Sequence, residues 1–264
     1  MLRASLAAVA VSAIALLTKR RENIQAALRE TLRAQAPIDS VGLPLRVVRK
    51  AETVICRRTG RLTIVIERST NSQNYTAVLR TAEALGVQHV WLISPPGWQQ
   101  NNHRRKKNRF EDDDKDWEKH VAYAKQAQKW LTIRVFKTSE ECVQAMKEEG
   151  HTIWVTDLSQ RAEVLQRRPS VPLPPLLALV IGTEATGASD FMLKSADRRV
   201  YIDLHGFADS LNLSVAAALS LYHIFLTYPE IVGSMAEAER QELRQQWYPS
   251  LARNAREAEI YQRA

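Results

Sequence analysis

The chain has 264 residues, 45% hydrophobic and 25% charged, and carries a formal net charge of +8. This is an ordinary globular composition with enough apolar material for a substantial core in one or two domains. Its two cysteines, Cys56 and Cys142, are too few for a disulfide framework and too isolated for a zinc site, so the sequence implies a reducing compartment and no structural metal.

The charge is unevenly placed. Eleven Lys or Arg against four Asp or Glu precede Arg61, and the remainder is close to neutral. Such a basic arm suits a polyanion such as RNA, and it reads equally as a solvated charged helix or an organelle-targeting segment. Within it, Ala4 to Leu17 is apolar apart from two serines and is followed by Lys19-Arg20-Arg21. Three readings stand: a cleavable signal, a transit segment spanning Met1 to Arg21, or the first helix of an arm. The run is short for a membrane span, so no stable membrane association is expected. A transit segment implies a mitochondrial or other organellar location, and its absence a cytoplasmic one. Glu22 to Gln35 has helix-forming composition, and Pro37, Gly42 and Pro44 then make a linker.

Beyond the linker, strands and helices alternate. Leu62 to Ile66 reads as a strand with Glu67 at its end. Asn74 opens a helix stopped by Gly86, and Val90 to Ile93 is the next strand. The stretch 98–116 is a basic block followed by an acidic one, a charged surface loop with or without RNA contact. Trp117 to Trp130 reads as a helix, Ile133 to Phe136 as a strand and Ser139 to Glu149 as a helix, with Thr138-x-x-Glu141 as a capping box. Thr152 to Thr156 is a strand. Leu177 to Ile181 is a continuous apolar run ended by Gly182, as expected of a strand buried on both faces. Val200 to Leu204 is a shorter strand, and Leu213 to Leu226 a buried helix running toward Pro229. Ser234-x-x-Glu237 caps a helix to about Trp247, and a last helix starts near Pro249. The domains expected are a basic arm over 1–52, an α/β domain with a largely parallel sheet over 53–232, and a C-terminal helical extension over 233–264.

The densest chemistry lies in Leu176 to Leu226. The turn Gly182-Thr183-Glu184-Ala185-Thr186-Gly187 lacks the Lys-Ser/Thr of a P-loop and the spacing of a dinucleotide fingerprint. The pieces Gly182-x-Glu184-x-x-Gly187-x-Ser189, the Ile202 strand and Ser210-Leu211-Asn212-Leu213-Ser214-Val215-Ala216-Ala217 instead resemble the SPOUT methyltransferase superfamily, in its SpoU/TrmH branch of RNA ribose 2′-O-methyltransferases. Upstream, Asn74-x-x-Ala77-x-x-Arg80-Thr81, followed by Gly86-Val87, resembles the first signature of that family. Departures fall at Thr183, Ala188 and Asp203.

The resemblance implies a deep C-terminal trefoil knot, a homodimer, S-adenosyl-L-methionine as methyl donor, and RNA as partner, with a tRNA guanosine as substrate and rRNA as the alternative. It implies catalytic or orienting roles for Arg80, Asn74, Ser210, Glu184 and Asn212, and donor contacts from Thr156, Gly182, Ile202 and Leu211, with no metal. Because an arginine is ordinarily protonated, Arg80 acts either as the base or as an electrostatic activator of the ribose hydroxyl. A noncatalytic RNA-binding or ribosome-assembly factor that keeps the fold is the competing expectation.

Overall fold

The computed structural model describes residues 46–69, 71–94, 129–165, 172–183, 186–252 and 254–262. The apolar N-terminal segment, the helix expected over Glu22 to Gln35, the 98–116 charged stretch and Glu184 lie outside the described residues, as does the helix expected over 117–130 except for its last two residues, which form a turn. The chain divides into two compact units, one covering 57–239 and the other combining residues up to 56 with those from 240 onward.

The larger unit is built on a seven-stranded sheet, ordered β3-β2-β1-β6-β4-β7-β5. The strands are β1 (Thr59–Glu67), β2 (Val87–Ile93), β3 (Thr132–Phe136), β4 (Thr152–Thr156), β5 (Glu163–Val164), β6 (Leu177–Ile181) and β7 (Arg198–Tyr201), and every pairing is parallel. In β1 and β6, side chains alternate between two cores, which explains their unbroken apolar runs. Leu62, Ile64, Ile66, Leu177, Leu179 and Ile181 join one core, while Val65, Ala178 and Val180 join the other.

Helices α2 (Ser72–Leu85) and α5 (Leu213–Thr227) cover the first core, and α3 (Ser139–Glu148) and α4 (Asp190–Ser195) the second. Each start has a physical cause. The Asn71 side chain accepts a hydrogen bond from the Gln73 N–H, so α2 begins before Asn74, the position expected from the sequence, and Asn74 falls in the first turn. Gly86 ends α2 at φ 89°, a left-handed conformation that glycine adopts without strain. Thr138 caps α3 by accepting from the Glu141 N–H, while the Glu141 carboxylate reaches back to the Lys137 N–H, one residue beyond the expected box. Ser189 caps α4, a short helix absent from the sequence reading.

Further corrections concern strand and helix ends. β7 stops at Tyr201, so Ile202 and Leu204 lie in the following loop. Its neighbour β4 ends at Thr156, opposite Val200, and β5 offers only two residues, the second opposite Tyr201, so a longer β7 has nothing to pair with. Pro249 does not open the last helix. It lies within α6 (Glu237–Ser250), where the buried Trp247 and Tyr248 carry the helix beyond its expected end, and α7 spans Ala255–Gln262.

The smaller unit contains α1 (Arg46–Ile55), the part of α6 from Arg240, and α7. Val48, Ala51, Glu52 and Ile55 form the buried face of α1. Glu52, 2% exposed, accepts hydrogen bonds from Arg244 Nε at 3.0 Å, Arg244 Nη2 at 2.7 Å, the Tyr248 hydroxyl at 2.5 Å and the Cys56 thiol at 3.2 Å. Burial by itself raises the Glu52 pKa, but these hydrogen bonds and the Arg244 charge outweigh it and hold the carboxyl below its usual value. Burial, reinforced by Glu52, pushes the Cys56 thiol up to about 12, and burial pushes Cys142 there too. Both cysteines are free and buried, as small hydrophobes are.

Candidate active site

In a parallel sheet the loops leaving the carboxyl ends of the strands make the natural crevice. Here the loops after β4, β6 and β7, together with the start of α5, enclose a cavity of about 420 Å³, within the range of small-molecule sites. Thr156, Gly182, Ile202, Ser210 and Leu211 all line it, so five of the nine residues singled out in the sequence meet in one place. Thr156 is held there by its hydroxyl, which donates to the Val180 carbonyl at 3.2 Å. Thr183 and Ala188 also line the cavity, whereas Asp203 does not.

The loop after β6 is closed on itself. The Thr183 N–H donates to the Gly187 carbonyl at 2.9 Å and the Gly187 N–H to the Thr183 carbonyl at 3.0 Å. At its neck, a Cβ on Gly182 would stand 2.1 Å from the Ala188 nitrogen and 2.2 Å from the Gly187 carbonyl carbon. Glycine is therefore required at 182 for space. Below the neck, Ser189 donates from its N–H to Glu67 Oε2 at 2.8 Å and from its hydroxyl to Oε1 at 2.6 Å. The Ser139 hydroxyl donates to the same Oε1 at 2.5 Å.

The polar character of the cavity is one-sided. Asp157 and Asp209 line it, and among the described lining residues there is no Lys, Arg or His. Asp157 accepts from the Ser159 N–H at 3.1 Å and the Ser159 hydroxyl at 2.5 Å, with Arg199 at 3.5 Å. Burial raises its pKa, and these bonds and the arginine charge more than compensate, leaving it below its usual value. The sequence reading passed over Asp157, although Asp-x-Ser after a strand is the signal of a side-chain-closed turn. It also gave no role to Glu67, whose signal was an acid ending an otherwise apolar strand.

Of the other predicted residues, Arg80, Asn74 and Asn212 are not among those lining the cavity, and Glu184 lies outside the described residues. Arg80 is exposed on α2 and Asn74 is buried in the first turn of the same helix, which packs against α5. Asn212 caps α5, its side-chain oxygen accepting from the Ser214 N–H at 2.9 Å and the Ser214 hydroxyl at 2.7 Å. The described residues contain no group of His, Cys, Asp and Glu able to hold a metal, and none of their helices is long and apolar enough to cross a membrane.

The chain is similar to known proteins. It is 29% identical over 207 residues to a tRNA (guanosine(18)-2′-O)-methyltransferase of Borreliella burgdorferi, covering 78% of this chain and 85% of the relative. It is 28% identical over 219 residues to the enzyme of the same name from Thermus thermophilus, covering 81% and 91%. The crystal structure of the Aquifex aeolicus TrmH/SpoU tRNA modifying enzyme superposes with a TM-score of 0.59 at 24% identity, over 79% of this chain and all of that one, a likeness of fold. Residues 61–222, more than half of the chain, match the sequence pattern of one family, and on that ground the protein belongs to the SpoU rRNA Methylase family.

Proposed function

We propose that the protein methylates a ribose 2′-oxygen of RNA with S-adenosyl-L-methionine as donor, the substrate being a tRNA guanosine. The observation that carries this reading is the cavity at the carboxyl edge of the sheet. It has apolar walls in Ile202 and Leu211, loop backbone around Gly182, two carboxyls and no basic side chain among its described lining residues. Such a lining disfavours a phosphate-bearing nucleotide and suits a ligand that joins an adenine ring to a sulfonium and an ammonium cation. The donor, when bound, supplies an activated methyl group, so no metal is needed. The chain must hold the ribose in line with that methyl and dispose of the hydroxyl proton.

Arg80 is the residue assigned to the hydroxyl, by taking its proton or by lowering its pKa through charge. Asn74 and Ser210 orient the reacting groups, Asn212 fixes the turn into α5, and Glu184 holds the loop or the target nucleotide. The methyl-transfer domain is assigned to 53–232. The sheet order β1-β6-β4-β7 supports a knot: β6 enters between β1 and β4, and the chain returns on the far side of β4. A homodimer is supported by α5, where Val215, Leu219, Tyr222 and Leu226 form an exposed apolar stripe at helical spacing.

The test is direct. Purified protein with labelled donor and tRNA should yield 2′-O-methylguanosine, and Arg80→Ala should slow transfer by about a hundredfold or more while donor affinity stays parental. Parental transfer rates in Arg80→Ala would sink the site assignment. A parent protein that binds RNA but no donor would favour an assembly factor over an enzyme.

A further inference from the structure

We propose that Glu67 is a positioning residue for the donor cavity, fastening the loop 182–188 through Ser189 and so keeping the cavity in the shape that receives the methyl donor. The inference rests on the functional reading above, since it states how that same cavity is kept ready.

Glu67 ends β1 and is 1% exposed, and Ser139 is fully buried beside it. Three hydrogen bonds converge on its carboxylate: two from Ser189, through N–H and hydroxyl, and one from Ser139. The Ser189 hydroxyl in turn accepts from the Met192 N–H at 3.2 Å and so caps α4. One acidic side chain therefore joins the end of a central strand to the first turns of two helices on the same face of the sheet. Glu67 is not among the residues lining the cavity, so its effect on a ligand passes through the loop.

The described ends of the loop are tied to each other. Its reciprocal Thr183–Gly187 hydrogen bonds make it a closed hoop, and the contact of Gly182 with Ala188 brings both ends of the hoop to one point. One end continues β6, which is locked between β1 and β4. The other end is Ser189. Residues joined at a single neck shift together when one of the two anchors is released, and the described ones, Gly182, Thr183, Thr186, Gly187 and Ala188, all line the cavity. Releasing the Glu67 anchor therefore moves one wall of the site while the apolar core beneath it stays packed.

The experiment compares the parent with Glu67→Ala, Glu67→Asp and Glu67→Gln. Donor affinity is measured by calorimetry with S-adenosyl-L-methionine, and KM and kcat with tRNA. Asp keeps the acid but falls one methylene short of the serines. Gln keeps the reach and one acceptor oxygen, and the serine hydroxyls can rotate to meet its amide. Ala, which removes all three bonds, and Asp, which cannot reach them, should raise the donor Kd and the donor KM about 10- to 100-fold, the part of that loss which the donor must restore when it binds. At saturating donor kcat should stay near parental, and Gln should recover most of the affinity. A general loss of fold would lower the active fraction without separating KM from kcat. Ser189→Ala, which keeps the N–H bond to Glu67 and loses the hydroxyl bond to Glu67 together with the α4 cap on the Met192 N–H, should weaken the donor by a smaller factor and decides the matter where Glu67→Ala does not fold. Parental donor affinity in Glu67→Ala or Ser189→Ala overturns the proposal, as does a Gln variant as weak as Ala. A parent that binds no donor at all overturns the functional reading itself.

Discussion

Placing a methyl group on Gly182 tests the neck of the loop by geometry alone. In Gly182→Ala the new Cβ falls 2.1 Å from the Ala188 nitrogen, 2.2 Å from the Gly187 carbonyl carbon and 2.6 Å from the Ala188 Cα, all backbone atoms. Restoring ordinary contact at about 3.4 Å requires the neck to open by about 1.3 Å. Overpacking of this kind costs about 1–3 kcal/mol. In the free protein the loop relieves the strain by swinging away, and a ligand that needs the native wall must impose it again. Donor affinity should therefore fall about 5- to 150-fold, the same energy read as an equilibrium constant. Calorimetry with S-adenosyl-L-methionine measures this, with far-UV circular dichroism confirming an intact sheet. A Gly182→Ala protein with parental donor affinity and an unchanged melting temperature would refute the reasoning. Gly187, five residues on, needs glycine for a different cause: its φ is 69° and a Cβ there meets nothing within 4 Å.

Two further outcomes follow from other parts of the molecule. Because the native carboxyl of Glu52 titrates below its ordinary 4.5, its stabilising contribution is complete above that pH and disappears as pH falls through the lowered native value. The stability difference between the parent and Glu52→Gln, from chemical denaturation, should accordingly be constant near neutrality and shrink below about pH 4.5; a difference unchanged down to pH 3 would contradict the hydrogen-bonded geometry. Leu219→Glu combined with Leu226→Glu puts two charges on the exposed stripe of α5 and should turn a dimer into a monomer in sedimentation equilibrium. A parent that is already monomeric, or a double variant that stays dimeric, removes the stripe from the interface.

What the sequence disclosed depended on whether the cause of a feature was local. Leu177 to Ile181 was legible to the residue because both of its faces are buried and Gly182 stops it. The start of α5 was legible because Asn212 is its cap. By contrast, β5 has two residues and exists only because β7 lies beside it. Helix α1 was hidden because its buried face contains Glu52, whose partners Arg244 and Tyr248 stand 192 and 196 residues away. Glu67 was visible as an acid at a strand end, but Ser139 and Ser189, 72 and 122 residues on, were not visible as its partners. Thr156, Gly182, Ile202, Ser210 and Leu211 were recognised through motif resemblance, while Asp157 and Asp209 beside them were not; the convergence of all these residues depends on three loops whose geometry no local pattern encodes.

The position of β6 also shapes how the protein comes to be. Leu177 pairs with Leu62, roughly a hundred residues earlier in the chain, so the middle of the sheet is assembled from its most distant parts. Such non-local pairing slows folding, because a long loop must close before any contact rewards it. During synthesis β1 and β2 are complete well before β6 emerges, and the β1 edge bearing Leu62, Ile64 and Ile66 stays open meanwhile. An open apolar edge is a template for association with other chains. The yield of native protein should therefore depend on how quickly one five-residue strand finds a slot prepared long before it.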